Sequence, residues 1–172
     1  MLNTLRKIVQ EVNSAKDLKA ALGIIVLRVK EAMGSQVCSV YLLDPETNRF
    51  VLMATEGLNK RSIGKVSMAP NEGLVGLVGT REEPLNLENA ADHPRYRYFA
   101  ETGEERYASF LGAPIIHHRR VVGVLVIQQK ERRQFDEGEE AFLVTMSAQL
   151  AGVIAHALSL IHISEPTRPE RI

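Results

Sequence analysis

Residues 109–129 read SFLGAPIIHHRRVVGVLVIQQ. Two apolar runs flank His117, His118, Arg119 and Arg120, which predicts a β-hairpin turning at HHRR. Both faces of both strands are mostly apolar, and such strands must be covered on both sides of their sheet. Phe110, Ile115, Val124 and Leu125 are therefore expected in a core, and helices are needed above and below the hairpin.

The first cover follows directly. In QFDEGEEAF (134–142) Asp136 suits an N-cap and Glu139 stands three residues on, as in a capping box. From Ala141 to Ile163 there is no Asp, Glu, Lys or Arg, about the length of a bilayer span. Thr145, Gln149, Gly152, His156 and Ser159 recur at spacings of three and four, however, and make a weakly polar stripe. The segment reads as a soluble helix with most of its surface buried, not a membrane span. Beyond it, SLIHISEPTRPERI changes character at Pro166 and Pro169. Residues 158–172 are taken as a truncated or non-native tail, a native linker being the other explanation.

Upstream, VCSVYLLD (37–44) and RFVLMATEG (49–57) predict two strands around a DPETN turn, and SIGKVSMAP (62–70) a third. Apolar positions at helical spacing predict helices over 2–13 and from Asp17, an N-cap, to Met33, with Gly34 as the stop. Residues 83–106 are polar and aromatic, with a short strand at Leu85–Leu87, and a loop of that length is commonly functional. In NEGLVGLVGT (71–80), glycines at 73, 76 and 79 follow G-x-x-G-x-x-G. A dinucleotide loop reads G-x-G-x-x-G and a P-loop ends G-K-[ST], so neither phosphate cradle is present. The spacing places the glycines along one face of a short helix, for close approach to a sheet or to a ligand. The order helix, helix, three strands, short helix, loop, hairpin, helix describes an α+β domain. Its antiparallel sheet carries the terminal helices on one face. The short helix and the loop lie over a pocket on the other.

The chain has 172 residues, one domain's worth, with 21 Lys plus Arg against 21 Asp plus Glu. That balance gives no sign of nucleic acid or an anionic membrane as partner. Cys38 is the single cysteine, so there is no disulfide framework, and a reducing, cytoplasmic setting is expected. No Ser–His–Asp order, zinc spacing or paired carboxylate points to an enzyme, to a metal or to a bound cofactor.

The ordered set CSVYLLD, ATEG, NEGLVGLVG, EPLNLENAADHP, FLGAPI, VVGVLVIQQK and FDEGEEAFL resembles the GAF family over residues 2–157. LRKIVQEV, EEPLNLENA, ERYASFLGAPI and RRQFDEGEEAFLVT are similar to the N-terminal GAF domains of nitrogen-branch enzyme I, the phosphoenolpyruvate–protein phosphotransferases. The resemblance implies a cytoplasmic regulatory sensor joined to phosphotransferase domains that this chain does not include. Resemblance to cyclic-nucleotide GAF domains carries pocket positions onto Ser39, Thr55, Glu56, Leu74, Val75, Tyr96 or Arg97, and Val126. Thr55 stands where that group has an aromatic and Val126 where it has an acid. Of the signature N-K…F…D-E only Lys130, Asp136 and Glu137 match, which counts against cyclic nucleotides.

Chemistry then suggests an amino acid, with Glu56 for its ammonium, Arg95, Arg97 or Arg106 for its carboxylate, and Ser39 for a polar end. The enzyme I resemblance implies glutamine. The rivals are a structural dimerisation module with a collapsed pocket, a cyclic-nucleotide domain, and a methionine-sulfoxide reductase, which normally needs a second cysteine beside Cys38. Ala148, Ala151, Gly152 and Ala155 would allow close helix approach, so a homodimer through the first and last helices is expected.

Overall fold

A computed structural model of the chain describes residues 2–99 and 107–164. Helices α1 (Leu2–Asn13) and α2 (Leu18–Met33) lead into strands β1 (Val37–Asp44), β2 (Arg49–Glu56) and β3 (Ser67–Met68). Helix α3 (Gly73–Arg81), strand β4 (Leu85–Leu87), the hairpin β5 (Ser109–His117) and β6 (Arg120–Gln129), and helix α4 (Glu137–Ser164) follow. The strands form one antiparallel sheet in the order β3-β2-β1-β6-β5-β4.

The local signals act as their chemistry dictates. The Asp17 carboxylate accepts from the Ala20 N–H, and Gly34 closes α2 at φ 63°. Asp136 and Glu139 each accept from the other's backbone N–H at 2.8 Å, a reciprocal capping box. His118 and Arg119, both at positive φ, make the two-residue hairpin turn. The third strand is shorter than the sequence suggests. The Asn59 side chain accepts from the Arg61 N–H and turns residues 60–62 into a 3-10 helix, and Gly64 adopts φ 82°. Val66 still accepts from the Leu52 N–H at 2.9 Å, but a regular ladder forms only at Ser67 and Met68.

Two apolar cores lie on opposite faces of the sheet. On one, α1, α2 and α4 pack through Ile8, Ile25, Val29, Met146 and Leu150 onto Val40, Leu111, Ile115 and Leu125. On the other, Leu74, Val75 and Val78 of α3 pack onto Tyr41, Phe50, Leu52, Phe110, Val124 and Val126. Phe110, Ile115, Val124 and Leu125 are all buried, as the hairpin pattern requires, and they divide between the faces.

Helix α4 departs from expectation in one respect. Glu137–Leu158 is long and apolar enough to cross a membrane, yet only 39% of its most apolar 18-residue stretch is buried. Leu143, Met146, Leu150 and Ile154 pack on the sheet, while Val144, Thr145, Ala148, Gln149, Gly152 and His156 are exposed. Ala151 is buried and so belongs to the inner side rather than the outer strip of small residues.

Candidate functional site

A cavity of about 50 Å³ lies between the sheet and α3. Leu74 and Val75 roof it, Tyr41, Phe110, Val126 and Gln128 form its floor, and Tyr96, Arg97, Phe99 and Tyr107 wall one side. The roof fits closely because its glycines face protein. A Cβ at Gly76 would strike the Ala69 and Pro70 carbonyls, and one at Gly79 would strike the Phe50 ring. The glycine spacing thus serves the seating of α3 on the sheet and on its own lead-in.

Of the residues singled out in the sequence, Leu74, Val75, Tyr96, Arg97 and Val126 meet at this cavity. Ser39 and Thr55 are cross-strand partners with their hydroxyls 2.9 Å apart, both buried, and they satisfy each other. Arg106 lies outside the described residues.

The structure corrects the placement of Glu56. Alternation from Phe50 and Leu52, which face α3, would carry Glu56 to the same side. A β-bulge intervenes: Val40 pairs with Ala54 and Tyr41 with Leu52, leaving Met53 extra. One added residue reverses the facing of all that follows. Glu56 pairs with Cys38, whose side chain sits in the helix-side core, and lines a separate groove against Leu18, Leu22 and Val26 of α2. There it accepts from Lys60 at 2.8 Å.

Arg95 and Arg97 are both engaged with the start of α3. Arg95 donates to the Asn71 carbonyl at 2.5 Å, its own N–H bonding His93 Nδ1 at 3.0 Å, so His93 shapes the turn. Arg97 pairs with the Glu72 carboxylate and lies over the Phe99 ring, 4.9 Å from its centre. Glu72 is a junction. Its other oxygen accepts from the Ala69 N–H at 3.0 Å and from Arg49 at 3.3 Å. Arg49 also donates to the Ser67 hydroxyl and carbonyl at 2.8 and 3.1 Å. The roof is therefore tied to β2, β3 and the 93–99 loop by charge as well as by packing.

Sequence reasoning missed Glu72, Arg49, Tyr41, Phe99 and Gln128. Tyr41 and Gln128 were within reach, since each stands two residues along its strand from a singled-out position, Ser39 and Val126. The charged partners of Glu72, Arg49 and Arg97, lie 23 and 25 residues away in the chain, so no local spacing announces the junction.

Cys38 is fully buried on the helix side. Burial, and secondarily the nearby Glu56 carboxylate, push its thiol up and away from the thiolate form. That environment suits a small hydrophobe and not a nucleophile. Among the described residues no three His, Cys, Asp or Glu side chains gather as a metal site requires.

The GAF domain profile matches residues 17–154. This chain belongs to the GAF family. It is 48% identical over 157 residues to the phosphoenolpyruvate-dependent phosphotransferase system protein of Escherichia coli K12, covering 91% of this chain and 21% of that protein. The chain thus spans about a fifth of that relative's length. Among solved structures, the GAF domain from a phosphoenolpyruvate-protein phosphotransferase of Coxiella burnetii is 49% identical with a TM-score of 0.88. The corresponding Acinetobacter GAF domain is 52% identical with a TM-score of 0.84. Both alignments cover 94% of this chain and 96% of the other. The GAF architecture, an antiparallel sheet with terminal helices on one face and α3 on the other, is the one described above.

Proposed function

We propose that this GAF domain is the regulatory, small-molecule-sensing part of a phosphoenolpyruvate–protein phosphotransferase, and that its effector binds between the sheet and α3. The similarity to GAF domains of such proteins supports the first half. The observation that carries the second is the lining of the cavity, where the Arg97 guanidinium, the Gln128 amide and the tyrosines Tyr96 and Tyr107 converge on apolar surface. A guanidinium fork suits a carboxylate, and an amide with phenolic hydroxyls suits a neutral polar end. Glutamine carries both and is the first ligand to test. Among the described residues the lining includes no acid, so none of them offers a carboxylate partner to its ammonium. Ligand pockets usually enclose roughly 300–1,000 Å³, so binding has to displace the side chains of Tyr96, Arg97 and Phe99.

The same small volume favours a second reading, a structural module whose pocket is filled by its own side chains. Thermal denaturation separates the two. Glutamine at a hundredfold excess over its dissociation constant should stabilise by about 2.7 kcal/mol, a shift of roughly 5–10 °C for a domain of this size. Glutamate, 2-oxoglutarate, cyclic AMP and cyclic GMP belong in the same experiment. A shift with glutamine that Arg97→Gln abolishes supports the sensor. A shift with a cyclic nucleotide alone keeps the pocket and replaces the ligand, and no shift with any of them favours the structural module. In either case the domain is proposed to pair with a second copy through the outer sides of α1 and α4, where Ala148 and Gly152 are exposed and small. Light scattering showing only monomer at tens of micromolar would exclude that pairing.

A further inference from the structure

Resting on the reading of the α3-side cavity as a ligand site, we infer that Glu72 is a built-in carboxylate that occupies Arg97 in place of the effector's own, so that effector affinity is set by competition with it. Three observations carry this. Arg97 is the one guanidinium among the described residues that line the cavity. Its guanidinium is paired with Glu72, which stands outside that lining at the N-cap of α3. Glu72 does not depend on Arg97 for its position, because the Ala69 N–H and Arg49 hold its other oxygen at 3.0 and 3.3 Å. A carboxylate fixed from behind and offered to a loop arginine mimics the anionic end of a ligand. While it is engaged, Arg97 and its neighbours Tyr96 and Phe99 stay against the cavity, and the space left is about 50 Å³. Arg97 and Glu72 side chains are 52% and 26% exposed, so the pair is within reach of solvent and of an incoming anion.

Competition at one guanidinium makes a chemical demand on the effector: it must bring a carboxylate. The cost of displacing Glu72 is the strength of a partly exposed ion pair, which sets the affinity penalty at roughly three- to fivefold. Substituting Glu72→Gln keeps an acceptor for the Ala69 N–H and removes the competing charge.

The test has two arms on the whole chain. In the first, trypsin cleavage after Arg97 is timed for the wild type and Glu72→Gln, with thermal midpoints as the control for folding. Faster cleavage at an unchanged midpoint is expected, and equal rates overturn the hold of Glu72 on Arg97. In the second, binding of L-glutamine, L-glutamate, propionate and glutamine's α-carboxamide is titrated against the wild type, Glu72→Gln, and Glu72→Gln combined with Arg97→Gln. The carboxylates should bind Glu72→Gln roughly three- to fivefold more tightly than wild type, the carboxamide should gain nothing, and the gain should vanish in the double variant. Wild type and Glu72→Gln binding glutamine equally well would overturn the competition and leave glutamine as ligand. No gain in Glu72→Gln for any carboxylate overturns the competition too, and whether wild type binds glutamine then decides the ligand reading separately.

Discussion

On the helix-covered face of the sheet, Ile25, Val29, Leu111, Leu125, Met146 and Leu150 close a mainly aliphatic core that also holds Cys38, Phe135 and Phe142. On the α3-covered face the floor is built of Tyr41, Phe50, Phe110 and Val126, the roof is one nine-residue helix, and Arg49, Glu72, Arg95 and Arg97 tie its start in place. Dense aliphatic packing has few alternative arrangements. Helix α3 is itself buried from Gly73 to Gly79, so the part of this face that can rearrange at low cost is the set of partly exposed ion pairs at its start. The contrast teaches that one sheet can serve as a rigid support through one face and present an adjustable site through the other.

Adjacent residues on β6 test that contrast most strongly. Leu125 faces the helices and is fully buried, while Val126 faces the cavity. Leu125→Ala should cost about 2–5 kcal/mol in chemical denaturation, the range for a leucine lost from a packed core. Val126→Ala removes fewer methyl groups beside an existing cavity and should cost about 1–2 kcal/mol. Equal losses would mean that the faces are equally rigid. The roof can be probed at Gly79, where a Cβ would press on the buried Phe50 ring. Gly79→Ala should destabilise by about 1–3 kcal/mol, as overpacking does, and should leave the α1–α2–α4 side unchanged in amide exchange. Protection lost evenly on both faces would show that they unfold together.

The smallest effect concerns acid. Arg133 donates to both Glu139 oxygens at 3.0 Å and, with the Asp136 N–H, holds that carboxyl below its ordinary value. The stability it lends is present above the ordinary carboxylate pKa of about 4.3 and is lost as pH falls toward the depressed value. Glu139→Gln should therefore reduce the difference between denaturation midpoints at neutral pH and near pH 3. A variant as acid-sensitive as the wild type would place the acid response elsewhere.

Much of this was legible locally. Caps at Asp17, Gly34, Asp136 and Glu139 depend on side chains within a few residues of the backbone they satisfy, so their spacing alone announces the helix ends. The two-faced apolar hairpin likewise required layers above and below it. The site was legible only in part. Leu74, Val75, Tyr96, Arg97 and Val126 line the α3-side cavity, whereas Ser39, Thr55 and Glu56 do not.

The sequence by itself determined the order and type of nearly every element, the division of the hairpin between two cores, and the GAF family, because these rest on periodicity, capping and motif order. Tertiary structure alone decided which way Glu56 faces and what Arg95 and Arg97 hold. A single extra residue at Met53 shifts the register between β1 and β2, and no composition or spacing around Glu56 records that shift. Arg95 finds the Asn71 carbonyl and Arg97 the Glu72 carboxylate across 24 and 25 residues of chain, and only a folded chain brings such groups within reach of one another.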